Sequence, residues 1–362
     1  AIMPMALLVL SGDRAIDAPW AGYLGAGLAF LLTGIGMHMT QTAGLALAAD
    51  RATDETRPKV VALLYVMFLV GMAISALIIG TLLRDYSSLR LVQVIQGTAV
   101  VTLLLNLIAL WKQEKVAPMS KSEREEPRPF FKDAWEDLIK GGDAGRLLMV
   151  VFLGTMAFNM QDVLLEPYGG EILGLSVSAT TLLTAAWAMG ALFAFGFAAR
   201  WLAKGMNPFR MCSHGILVGL AAFSFVIFSA PMESNTLFYI GAILIGFGGG
   251  LFGVATLTAA MTLPTIGNAG RGLALGAWGA AQATGAGLSI FIGGTMRDLV
   301  NHAAGNGILG EALATPTTGY SVVYHTEIGL LFITLIVLGP LVKVQAMKTE
   351  TSAKLQLADF PT

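Results

Sequence analysis

The sequence predicts an all-α integral membrane protein, with its helices gathered into two bundles. Three observations carry that prediction. Hydrophobic residues make up 55% of the 362 residues and charged residues only 12%, against about 25% charged in an ordinary soluble domain. Nine apolar stretches are each long enough to cross roughly 30 Å of hydrocarbon. Of the 22 lysines and arginines, 18 fall in segments that lie on one side of those stretches.

The stretches run over 20–48, 60–83, 90–111, 146–168, 178–203, 211–230, 236–262, 271–296 and 321–343. They must be helices, because an unpaired backbone group is costly in lipid and none shows the alternation of a barrel strand. The basic segments are 49–59, 112–146, 200–210, 263–271 and 343–362, and the other side keeps only Arg14, Arg84, Arg90 and Arg297. Basic loops stay in the cytoplasm, so these segments, including the long connection and the C-terminus, are expected on the cytoplasmic face of the membrane. The opening run AIMPMALLVL is apolar but too short to span. It is expected to be the end of a helix whose start lies outside this chain, making the fold N-terminally incomplete, with nine full spans and a partial one.

The chain divides accordingly. Residues 1–111 are the remainder of an N-terminal bundle, 112–145 a cytoplasmic linker, 146–343 a C-terminal six-helix bundle and 344–362 a cytoplasmic tail. The first half of the linker is charged and proline-bearing, as flexible connectors are. In its second half Phe130, Phe131, Ala134, Trp135, Leu138 and Ile139 recur at helical spacing opposite Lys132, Asp133, Glu136 and Asp137. Pro129 suits a first turn and Gly141-Gly142 an end. This predicts a short amphipathic helix at the inner membrane surface; a solvated linker helix is the competing reading.

Composition excludes several functions. A net charge of −1 gives no electrostatic footprint for nucleic acid. Cys212 is the single cysteine, and the four histidines show no metal-ligand spacing. There is no nucleophile with a placed base and no phosphate loop on a strand, so the chain is not expected to be an enzyme.

Polar groups inside a span call for a partner or a role, since charged types cost about 2.5–3.5 kcal/mol to insert. One cluster lies in GIGMHMTQTAGLALAAD. His38 is followed at i+3 and i+4 by Gln41 and Thr42, and Gly34 and Gly27 extend that face. Such a stripe suits a flat ligand, with His38 or Gln41 as axial ligand to a central metal ion. The competing reading is a histidine satisfied by a neighbouring helix, with glycines for close packing. A second cluster lies in FNMQDVLLEPYGGEILG. On a continuous helix Asn159, Asp162 and Glu166 share a face, with Gln161 and Tyr168 beside them. That is a polar groove for a headgroup, a solute or a partner helix, or else a structural network near the surface. Two helices are rich in glycine. Gly246 with Gly250, Gly249 with Gly253, and Gly272 with Gly276 give GxxxG spacings, continued at Gly279, Ala283 and Gly287. They serve internal packing, or a flat face for a macrocycle or another protein's single helix.

Six helices after the linker, with an equal number expected before it, is the plan of major facilitator superfamily transporters. The runs HMTQTAGLALAADRATDETRPKVVALLYVMFLVGMAISA, LRLVQVIQGTAVVTLLLNLIALWKQE and NMQDVLLEPYGGEILGLSV resemble the PucC/LhaA family of photosynthetic bacteria. The resemblance implies a twelve-helix fold of the major facilitator type in the photosynthetic membrane, and a role in assembling light-harvesting antenna complexes. It implies antenna polypeptides of the core or peripheral complex as partners, with the reaction centre or a pigment synthase beside them, and bacteriochlorophyll as cargo or bound pigment. It ranks His38, Gln41, Asp50, Gln161, Asp162, Glu166 and Tyr168 as the polar candidates, with His38 facing the pigment magnesium. The alternative is a secondary transporter of a small solute or pigment precursor, for which Asp162 is the intramembrane charge. An enzyme of pigment synthesis would need a cofactor motif that the sequence lacks.

Overall fold

A computed structural model describes residues 2–10, 19–51, 57–82, 87–111, 130–140, 142–263 and 271–358. They form helices and no strand. The chain divides into two compact units, Ala1–Pro127 and Arg128–Thr362. The linker residues 112–129 and the side chains of Thr42 and Asp50 lie outside the described residues.

The N-terminal unit holds α1 (Ile2–Leu10), α2 (Pro19–Arg51), α3 (Arg57–Leu82) and α4 (Ser88–Leu110). Helix α1 packs on α2 and α4, and α2 on α3. The contacts are made by small or aliphatic residues, among them Ala6, Ala29, Leu69 and Val92, which are buried. Ser87 starts α4 by accepting a hydrogen bond from the Arg90 amide at 3.1 Å, satisfying one of the donors that a helix N-terminus leaves free.

The C-terminal unit contains α5 (Phe131–Ile139), α6 (Asp143–Asn159), α7 (Leu165–Glu171), α8 (Val177–Ala203), α9 (Pro208–Ser229), α10 (Asn235–Thr262), α11 (Arg271–Gly305) and α12 (Thr317–Ala358). Ser176, Asn207 and Ser234 cap α8, α9 and α10 with their side-chain oxygens, and Pro208 fills the first turn of α9. Helix α5 is the amphipathic segment that the sequence predicts. Ala134 and Leu138 pack with Ala144, Ala274 and Ala277, with Trp135 partly covered beside them, while Phe130 and Phe131 stay exposed. Gly142, at φ 76°, takes the left-handed conformation at the corner into α6.

The bundle is close-packed through glycine. A Cβ built on Gly215 of α9 would lie 2.8 Å from the Gly248 carbonyl oxygen of α10, and one on Gly248 equally close to that of Gly215. Phe158 of α6 fills the space left there, its ring tilted against those of Phe252 and Phe223 with centroids 5.7 and 6.3 Å away. Helix α12 presents Tyr320, Tyr324, Glu327, Leu331, Thr334, Leu338 and Leu341 to the interior, all buried. Their alternating spacing of four and three is the seam of a helix packed along its length.

Six described helices are long and apolar enough to cross a membrane, or seven if the bent pair α5–α6 counts as one span. The nine predicted stretches all fall on helices, but three differ from their expected extent. Stretch 60–83 contributes the shorter apolar helix Val66–Leu82 within α3. Stretch 146–168 does not form one rod, because α6 ends at Asn159 and α7 begins at Leu165. Pro167 is the cause: it has no N–H for the Val163 carbonyl, and its ring clashes with that group in a continuous helix. Stretch 271–296 lies in α11, whose glycine, alanine and polar content keeps it out of the six, and which continues to Gly305. The residues that follow this stretch, 297–305, therefore continue the helix.

Candidate functional site

The break between α6 and α7 gathers the polar residues of the C-terminal unit. Asn159 ends α6 and turns its Nδ2 back to donate to the Thr155 carbonyl at 2.8 Å. Met160–Leu164 form turns in which the amides of Leu164 and Leu165 donate to the Gln161 carbonyl at 2.8 and 2.9 Å. The helical face expected for Asn159, Asp162 and Glu166 is thereby broken up. Gln161, only 1% exposed, points inward. Its Nε2 donates to Asp162 Oδ1 at 2.8 Å, and its Oε1 has no hydrogen-bond partner. Asp162 keeps part of its side chain at the surface of the turn, while its carboxyl end is turned toward Gln161 and the side of the turn that faces Glu327. Glu166, also exposed, accepts from the Thr184 hydroxyl at 2.8 Å and so ties α7 to α8.

Tyr168 is 1% exposed and is a hub of aromatic packing between α7, α10 and α12. Its hydroxyl donates to the Val226 carbonyl at 3.3 Å. Its ring meets those of Tyr320 and Tyr324 edge-on, with centroids 5.3 and 5.5 Å away, and that of Phe238 at 5.5 Å. Edge-to-face pairs of this kind add roughly 0.5–1.5 kcal/mol beyond burial. Three of the polar candidates thus have structural partners: Tyr168 holds α7 into the core, Glu166 anchors α7 to α8, and Asn159 closes the end of α6.

Two further groups carry as much chemistry and escape a sequence reading centred on residues 159–168. Arg297 of α11 pairs with Glu171, the last residue of α7, and with Asp298 at 2.8 Å. Its Nη2 also donates to the Tyr320 hydroxyl at 2.8 Å, and its guanidinium lies 4.7 Å from the Tyr320 ring centroid. Burial opposes the charge, but the bond to Asp298 and the neighbouring Tyr320 and Glu171 outweigh it and hold Arg297 above its usual range. Deeper in, Glu327 of α12 is 0% exposed. Both its carboxyl oxygens lack a hydrogen-bond partner, and so does the hydroxyl of Tyr324 one turn above it. The signal was present in HTEIGLLF: a carboxyl in the middle of an apolar run.

The other candidates lie on α2, α10 and α11. His38 and Gln41 are exposed on α2 and Gly34 is half-buried. Gly27 lies in a shallow groove with Trp20, Tyr23, Leu24, Leu28 and Leu31 that does not reach His38. In α10, Gly246 packs against the Trp187 backbone of α8 and Gly250 against Ala191 and Ala194, so both are used inside the bundle. Helix α11 has two unlike faces. Gly285 and Gly293 approach the α6 carbonyls of Phe152 and Met160, whereas no atom lies within 4 Å of a Cβ built on Gly272, Gly276, Gly279 or Gly287. Among the described residues, no three histidine, cysteine, aspartate or glutamate side chains converge as a metal site would require.

A model of the PUCC protein family matches residues 1–346. The chain belongs to that family. Among PUCC relatives, it is 58% identical over 366 aligned residues to an uncharacterized protein of the puhA-bchM intergenic region of Rhodobacter capsulatus, covering 100% of this chain and 76% of that protein. It is 51% identical over 304 residues to Protein PucC of Rhodovulum sulfidophilum, covering 83% of this chain and 66% of that one. Among solved structures, a bacterial homologue of the human lysosomal transporter Spinster matches with a TM-score of 0.62 at 14% identity, over 93% of this chain and 81% of that chain. The fold is therefore of the major facilitator type, and this PUCC protein is a multi-pass membrane protein, as its apolar helices and basic loops predict.

Proposed function

We propose that the protein is a non-enzymatic assembly factor for photosynthetic light-harvesting complexes, and that it docks single-span antenna polypeptides while binding or delivering bacteriochlorophyll. The family match across residues 1–346 carries this reading. The open face of α11 supports it. Gly272, Gly276, Gly279 and Gly287 leave a strip without side-chain bulk, on which a foreign helix can approach as closely as helices do at GxxxG contacts. The reading places the chain in the bacterial photosynthetic inner membrane, with residues 112–145 and the C-terminus in the cytoplasm. The client belongs to the core or the peripheral antenna, with the reaction centre or a pigment synthase as further partners.

For pigment the fitting donor is His38. Its imidazole is exposed, and among the described residues no hydrogen bond engages it, so a ring nitrogen is free to act as a ligand. Gly34 lies one turn away and offers a flat approach. Bound there, bacteriochlorophyll would supply the magnesium that such a nitrogen ligates. Gln41 follows one turn along as a hydrogen-bonding group for its periphery, and Thr42 is next to it in the sequence. Photo-crosslinking from position 276 in photosynthetic membranes tests the docking face. The antenna polypeptide is expected among the products from position 276 and absent from those of position 250. Antenna crosslinks at neither position would remove α11 as the docking face.

A second reading, a carrier of a small solute or pigment precursor, is favoured by one observation: the fold brings the fully buried carboxyl of Glu327 into a bundle of the transporter type. Uptake into vesicles that is lost in both Asp162→Asn and Glu327→Gln would establish it.

A further inference from the structure

Glu327 lies ten residues past the start of α12, about 15 Å along the helix axis. It occupies a seam position that an aliphatic residue fills at Leu331, Leu338 and Leu341. The groups that act on it are few. From the turn after α6 comes Asp162, which is a second carboxyl group, and from its own helix comes Tyr324, beyond which stand Tyr320 and, from α7, Tyr168. The Gln161 backbone amide approaches it but does not reach hydrogen-bond geometry. Among the described residues no cation acts on it. Arg297, on the neighbouring α11, is committed to Glu171, Asp298 and Tyr320.

A carboxylate in that position would be a bare anion with a second acid for a neighbour. Buried charges persist when paired and hydrogen-bonded; without a partner the group takes up a proton instead. The neutral acid also brings a hydroxyl donor into a cluster where Gln161 Oε1 is an acceptor without a partner. An ionisable residue inside a membrane bundle is a functional feature by default, and the chemistry of this one selects the smallest ligand.

We propose that Glu327 is a proton-binding site, carrying its proton while α6 and α12 are packed together and releasing it only when that seam opens. Proton binding then selects between a closed and a loosened C-terminal bundle. The inference does not depend on the antenna reading, since it rests on the seam alone. It gives a residue through which protonation acts on the packing of the bundle.

Infrared spectroscopy of the full chain in lipid nanodiscs at neutral pH tests it directly. Wild type is expected to show the C=O stretch of a protonated carboxyl that exchanges slowly in heavy water. That band is lost in Glu327→Gln and kept in Asp162→Asn. Absence of the band in wild type overturns the proposal, as does its survival in Glu327→Gln. A Glu327→Gln protein that fails to fold also overturns it, because the amide is the isosteric stand-in for the neutral acid and must be tolerated where that acid is.

Discussion

The hydroxyl of Tyr320 donates to Glu171 Oε2 across 2.7 Å and accepts from Arg297 Nη2 at 2.8 Å. One phenol thereby joins α7, α11 and α12. Tyr320→Phe keeps the ring, its packing on Tyr168 and its place under the Arg297 guanidinium, and removes only the two bonds. With Glu171 half-exposed, a loss of about 1 kcal/mol is expected. A lower melting temperature in lipid, with helix content unchanged, checks it.

Glycines on the two sides of the bundle should respond oppositely to alanine. Gly215→Ala forces a methyl group into the Gly248 carbonyl, and overpacking of this kind costs roughly 1–3 kcal/mol. Gly276→Ala meets no atom within 4 Å and removes a poor helix former, a gain of up to about 1 kcal/mol in water-exposed helices. Thermal unfolding of the two variants side by side should show a clear loss in the first and none in the second.

The open face of α11 makes a separate demand. Gly276→Leu leaves the bundle intact but raises bulk on the strip proposed to receive an antenna helix. Its melting curve should match wild type while antenna absorbance in the cells falls. Equal antenna levels in Gly276→Leu and wild-type cells would show that the face is not used.

Pigment ligation by His38 has its own readout. The gently extracted protein is expected to carry bacteriochlorophyll, and His38→Leu to shift or lose its long-wavelength band. A band of unchanged position and intensity in that variant would remove His38 as the ligand.

Much of the fold is legible in the sequence because lipid imposes simple constraints. Long apolar runs predict the helices, and the PFFKDAWEDLIKGG pattern predicts α5. The break at Met160–Leu164 was equally written in Pro167, but apolarity continues across it, so hydropathy alone reads one span. The site was less legible. Tyr168 and Gln161 stand out as polar residues near a helix end, yet their inward orientation follows from the break, not from helical spacing. The pairing of Arg297 with Glu171 and the burial of Glu327 depend on contacts that α11 and α12 make with the turn after α6 and with α7, more than a hundred residues earlier in the chain, which no local pattern contains. The two GxxxG helices look alike in sequence. Only packing distinguishes Gly246 and Gly250, pressed on α8, from Gly272 and Gly276, left open.

The role in antenna assembly is tested most directly by the near-infrared absorbance of membranes from cells lacking this protein, measured against cells with the full-length chain restored. A drop in assembled core or peripheral antenna, recovered on restoration, is the predicted result. Antenna absorbance equal to wild type in the deletion would contradict it.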